Sequence, residues 1–217
     1  MSSTIKRAVV LGASGLIGSQ LVQLLLKEAS ISEVTIFVRK KLPFSDKKLH
    51  QIILDFKDLE QYRDQFKGSV LFLCLGTTRK KTPNLEEYRA IDYGITLHAA
   101  KIAEEAGIEE VHLISAMGAN SKSGIFYNRV KGEIEEELLK INFNSTFIYR
   151  PAMLIGTRAE SRPAETIFQK LMPFFDLFMK GKLAQYHSVT DKKLAHAMLE
   201  QHLKAVKGKY VLSFSDF

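Results

Sequence analysis

Short apolar runs and longer amphipathic stretches alternate along this chain. Residues 8–11 form the first run, and after it Leu16, Ile17, Leu21, Leu24 and Leu25 fall on one face of a helix. Residues 33–38, 51–56, 69–74, 110–115 and 144–149 are further runs of strand length. Between them, 59–66 reads as a helix capped by Asp58, and 85–106 as one long helix ended by Gly107. Another helix opens near Tyr127. Strands and helices in this rhythm predict an α/β fold, a doubly wound parallel sheet with helices on both faces. Beyond Pro151 the rhythm changes. Residues 156–165 are polar and basic, and 167–179 are apolar and aromatic with Pro173 interrupting them. We expect a small C-terminal lid region there, closed off by a helix over 192–206 and a strand over 210–214. The whole of 1–217 then reads as one domain, with 152–217 supplying the lid. The Phe-rich stretch could serve instead as a dimer face or a membrane-surface contact.

Three glycines sit between the first strand and the first helix, Gly12, Gly15 and Gly18, in the stretch Gly12-Ala13-Ser14-Gly15-Leu16-Ile17-Gly18. Strand, glycine turn and helix together open a dinucleotide-binding βαβ unit. Gly12 allows a sharp turn out of the strand. Gly15 allows backbone N–H groups to approach a diphosphate, and Gly18 allows close packing of the helix on the sheet. The helix N-terminus, with its free N–H groups and dipole, favours the anion. Ser14, Leu16 and Ile17 belong to the same candidate cradle.

The ends of later strands extend that cradle. The second strand ends in Arg39-Lys40-Lys41, where an acid would hold the ribose 2′-OH of NAD and a base suits the 2′-phosphate of NADP. Arg39, with Lys40 beside it, therefore predicts NADP(H) over NAD(H). Asp55 and Phe56, at the end of the third strand, are the adenine-site candidates. Gly76, between Leu75 and Thr77 after the fourth strand, permits close approach to ribose and diphosphate.

Tyr127 and Lys131 are four apart, which puts them on one helical face. An ammonium beside a phenol favours the phenolate, so Tyr127 is a candidate proton donor or acceptor. Lys131 can also hold a nicotinamide ribose. Ser115, at the end of the fifth strand, can hydrogen-bond a substrate carbonyl oxygen.

These stretches, with Cys74-Leu75-Gly76-Thr77-Thr78-Arg79, Ser115-Ala116-Met117-Gly118-Ala119-Asn120, Tyr127-Asn128-Arg129-Val130-Lys131-Gly132-Glu133, Arg150-Pro151 and Glu160-Ser161-Arg162-Pro163, resemble the atypical short-chain dehydrogenase/reductases. Within that family the chain is most similar to the group of the Tat-interactive oxidoreductase. The resemblance implies a Rossmann fold, NADP(H) binding in which Pro151 takes part, and a Ser115-Tyr127-Lys131 catalytic site. Many of these enzymes carry an Asn on the helix after strand four as part of a proton relay. This chain carries Asp92 there, which weakens the relay argument.

Composition narrows the rest. With 217 residues the chain can bury a full core. Its one cysteine, Cys74, forbids an intramolecular disulfide and reads as core packing, which fits a reducing, cytoplasmic location. No apolar run approaches a membrane span, and the first strand follows Met1 too closely for a signal peptide. The net charge of +7 suits an anionic cofactor. No nucleic-acid motif accompanies it. None of the six histidines has a partner at metal-ligand spacing, so no metal is expected, and His98 reads as a satisfied packed residue. The sequence thus points to an NADP(H)-binding oxidoreductase acting on a small carbonyl or alcohol, as monomer or homodimer. A non-catalytic NADPH-binding regulator and a sugar-nucleotide epimerase are the alternatives.

Overall fold

The computed structural model describes residues 6–155 and 188–216. Its strands are β1 (Lys6–Leu11), β2 (Ile31–Val38), β3 (Leu49–Ile53), β4 (Val70–Leu73), β5 (Glu110–Ile114), β6 (Ser145–Tyr149), β7 (Met153–Ile155), β8 (Ser188–Thr190) and β9 (Gly208–Leu212). Seven of them run parallel in one sheet, in the order β3-β2-β1-β4-β5-β6-β9. The two short strands β7 and β8 pair separately. The lid expected over 156–165 and 167–179, including Glu160 to Pro163, lies outside the described residues.

The helices are α1 (Leu16–Lys27), α2 (Leu85–Arg89), α3 (Thr96–Glu105), α4 (Phe126–Leu138) and α5 (Asp191–Lys204). Strand residues alternate between two cores, as a period of two requires. Ala8 and Val10 of β1 face Leu21 and Leu25 of α1 and Leu194 and Met198 of α5. Val9 and Leu11 face Ala99 and Ile102 of α3 and Ile134 and Leu138 of α4. With both faces covered, the strands read as continuous apolar runs, the signature of a buried parallel sheet.

Local departures from the expected elements have physical causes. The stretch after β3 is a 3-10 helix, Phe56–Gln65, broken by non-helical geometry at Asp58 and Tyr62. Its cap is Asp55, whose carboxylate accepts the Lys57 N–H at 3.2 Å, and not Asp58. The long helix over 85–106 is divided: α2 passes into a π-helical turn, Ala90–Ile95, before α3 begins. Gly107 does close α3, with φ +83°.

Candidate active site

β1 lies between β2 and β4, and the chain leaves β1 and β4 toward opposite faces of the sheet. A doubly wound sheet opens a crevice at this point, outside the C-terminal ends of the strands. Here it is a cleft of about 760 Å³.

The glycine turn forms one wall. Gly12 has φ +85°, and a β-carbon there would collide with the Cys74 backbone at the end of β4. A β-carbon at Gly18 would strike the Gly12 carbonyl, so Gly18 packs α1 against the turn itself rather than against the sheet. Gly15 is different. It is the N-cap of α1 with ordinary extended geometry, and no side chain caps the helix. Its N–H donates to Gly12 O at 2.9 Å, and an added β-carbon would sit 3.1 Å from the same oxygen. Ser14, Gly15, Leu16 and Ile17 all line the cleft. An uncapped helix start without acidic residues in its first turn is a site for an anion, and it fits the diphosphate of a dinucleotide. Leu75, Gly76 and Thr77 form the opposite lip.

The catalytic candidates line the same cleft. Tyr127, near the start of α4, is 39% exposed and lines it. Lys131, one turn on, is buried, with its Nζ 3.0 Å from Asp92 Oδ1 and 3.5 Å from the Ile114 carbonyl. The π-helical turn carries Asp92 into the interior, where its other oxygen accepts the Thr77 N–H at 2.8 Å. Burial, the largest influence, opposes the charge on Lys131, but Asp92, Tyr127 and Glu135 together outweigh it and hold the ammonium above its usual range. Asp92 is therefore the counter-ion of Lys131.

Ser115, at the end of β5, also lines the cleft, but its hydroxyl donates to Glu135. Glu135 is buried one turn beyond Lys131 and holds the Arg150 guanidinium, accepting Nε at 3.0 Å and Nη2 at 2.5 Å. That hydrogen bonding raises the Arg150 pKa further, so the pair is ionic. With its O–H donated to Glu135, Ser115 has lone pairs left to offer. The Tyr127-Lys131-Glu135 spacing of four and four carries this signal in the sequence, one turn beyond the pair that the motif marks.

The remaining predicted cofactor residues lie outside this cleft. Arg39 and Lys40 are exposed just past β2, and Asp55 and the half-buried Phe56 lie just past β3. Pro151 is buried, and its carbonyl accepts the Met117 N–H at 2.9 Å. Burial pushes the Cys74 thiol up to about 12, which makes it unreactive. His98 is satisfied, but by Glu60 on the surface at 3.0 Å rather than by packing. The histidines do cluster in space: His112 and His202 lie 2.6 and 2.8 Å from the same Glu110 oxygen, and Tyr149 Oη lies 2.9 Å from His112 Nδ1. Ninety-two positions separate Glu110 from His202, so spacing could not reveal the cluster. Arg79, Lys81 and Tyr88 also line the main cleft, although no sequence signal assigns them to it.

Comparison with known proteins agrees with this fold. The sequence profile described as NAD(P)H-binding matches residues 12–153. Protein HTATIP2 of Rattus norvegicus is 35% identical over 169 residues, 76% of this chain and 69% of that one. Protein FMP52, mitochondrial, of Candida albicans is 36% identical over 157 residues, 70% of this chain and 69% of that one. Among solved structures, MoeE5 in complex with UDP-glucose and NAD superposes with TM-score 0.72 at 20% identity, covering 95% of this chain and 75% of that chain. A short chain dehydrogenase family protein from Francisella tularensis gives 0.64 at 16% identity, covering 90% of each. At such identities the superpositions speak for the fold alone.

Proposed function

The chain belongs to the NAD(P)H-binding family together with the HTATIP2 and FMP52 proteins, and from that membership we propose that it is an NADP(H)-dependent oxidoreductase interconverting a small carbonyl compound and its alcohol. The observation that carries this reading is Tyr127 and buried Lys131 in the cleft that the glycine turn also lines. A bound reduced nicotinamide would supply the hydride. The protein's share is the proton: Tyr127 gives its phenolic proton to the carbonyl oxygen as the carbon becomes an alcohol, and is reprotonated from water at the cleft mouth. Lys131, kept charged by Asp92, steadies the phenolate left behind. Ser115, whose O–H donates to Glu135, can accept from the hydroxyl of the alcohol, and it donates to the carbonyl oxygen only if the substrate displaces that bond. Ser14 to Ile17 would hold the diphosphate, and Arg39 with Lys40 the 2′-phosphate.

The test is a carbonyl-substrate screen with wild type and Tyr127→Phe. Tyr127→Phe should lose at least about a hundredfold in kcat, the lower end of a general acid's contribution, while its NADPH affinity is unchanged. Normal turnover by that variant would instead favour a non-catalytic NADPH-binding regulator, a reading to which the engagement of Ser115 by Glu135 lends some support. No described helix is long and apolar enough to cross a membrane. A cytoplasmic location stays part of the proposal, and cell fractionation separates it from the mitochondrial location in the FMP52 names.

A further inference from the structure

The loop between β4 and α2 brings to the cleft a cation that the mechanism above leaves unused. Arg79 lines the cleft beside Thr78 and Lys81. Its Nη1 donates to the Pro83 carbonyl at 2.6 Å, which fixes the side chain without neutralising it. Among the described residues no carboxylate pairs with Arg79. Lys131, another cation of this cleft, is already matched by Asp92.

The position of Arg79 decides which anion it can meet. Tyr88 is buried, its hydroxyl donates to the Thr77 carbonyl at 3.4 Å, and its ring meets Phe126 edge-on at 5.6 Å. Phe126 is the neighbour of Tyr127. Burial raises the Tyr88 phenol above its ordinary range, Asp92 and Tyr127 add to this, and Arg79 opposes it. Arg79, Asp92 and Tyr127 therefore all lie within electrostatic reach of one phenol. On the oxidoreductase reading Ser14 to Ile17 would take the cofactor's diphosphate and Arg39 with Lys40 its 2′-phosphate, and a nicotinamide riboside moiety carries no negative charge. Arg79 lines the same cleft as Tyr127 and has no cofactor anion assigned to it.

Resting on the oxidoreductase reading, we propose that Arg79 recognises a carboxylate or phosphate on the substrate and so sets its carbonyl against Tyr127. The planar guanidinium suits either anion, because its paired N–H donors match two oxygens. Its exposure on the cleft lip puts the expected effect near tenfold, the low end for a charged hydrogen bond.

Binding and turnover test this separately. Benzoate, phenyl phosphate and neutral benzamide would be titrated by calorimetry into protein saturated with NADP. We expect benzoate or phenyl phosphate to bind about tenfold tighter than benzamide, and the better of the two identifies the anion. Arg79→Gln should abolish the difference. Lys101→Gln, an exposed charge control on α3, should retain it. Equal binding of all three, survival of the difference in Arg79→Gln, or anion binding that competes with NADP would each overturn the proposal. In turnover, para-carboxybenzaldehyde or para-formylphenyl phosphate should exceed methyl para-formylbenzoate in kcat/KM. If the neutral ester is reduced equally well, the oxidoreductase reading stands and this inference fails. If none is reduced while the anions bind through Arg79, the anion site stands and its alignment of a carbonyl against Tyr127 fails.

Discussion

Replacing Asp92 with asparagine restores the residue type that the resemblance led us to expect, yet the structure says the protein will suffer for it. Asp92 Oδ1 is 3.0 Å from Lys131 Nζ, and the two side chains are only 1% and 6% exposed. Breaking a buried ion pair by removing one partner costs about 3–5 kcal/mol, because the other charge is left without compensation. The amide oxygen of the substituted side chain could still accept from Lys131, so we expect the lower end, about 3 kcal/mol. For a chain of this size that corresponds to roughly 6–12 °C in Tm. The pH dependence adds a signature. Lys131 has a folded pKa above its unfolded value of 10.5, so its contribution is fully present below 10.5 and is lost as pH rises through the folded value. In Asp92→Asn the strongest of the groups that offset burial of the ammonium is gone, and the alkaline loss of stability should begin at lower pH. Denaturant unfolding of wild type, Asp92→Asn, Lys131→Met and the double variant, each at several pH values, forms a double-mutant cycle. The double variant should be much more stable than the sum of the single losses predicts. An Asp92→Asn protein within about 0.5 kcal/mol of wild type, or additive losses in the double variant, would refute the counter-ion argument.

Gly15→Val has extended geometry to occupy, so it should fold once the Gly12 carbonyl, 3.1 Å from the new β-carbon, gives by a few tenths of an ångström, but it should lose NADPH binding by calorimetry; unchanged affinity would remove the diphosphate from this turn. Gly12→Ala should fail to fold stably, since φ +85° and the Cys74 backbone both exclude a β-carbon, and circular dichroism would show it. Arg39→Ala should erase most of a roughly ten- to hundredfold preference for NADPH over NADH and leave NADH affinity nearly unchanged, and salt should weaken the wild-type preference because Arg39 is exposed. Burial opposes the charge on Glu110, but hydrogen bonds from His112 and His202 outweigh it and hold the carboxyl at about 2, below the usual 4.5. Its stabilising contribution is present above 4.5 and is lost as pH falls toward 2, so Glu110→Gln should flatten that acid limb in denaturant unfolding; an unchanged limb would sink this account.

The sequence by itself determined the alternation of strands and helices and the parallel sheet they build. The runs at 8–11 and 69–74 and the pattern on α1 are local, and local periodicity reports directly on which face is buried. The glycine turn was equally legible, because Gly12 needs its residue type for a backbone reason that acts within the turn and at the end of one neighbouring strand. Tyr127 and Lys131 share a face through helical spacing alone. Tertiary structure alone decided how those residues are employed. A departure at Asp92 became a counter-ion only when a π-helical turn and Lys131, on a different helix, met in the interior. Ser115 came to donate its O–H to Glu135, and His112 and His202 found Glu110, through packing of distant elements. Charge pairing in a low-dielectric interior depends on distances of a few ångströms between such elements, and no spacing along a single strand or helix encodes them.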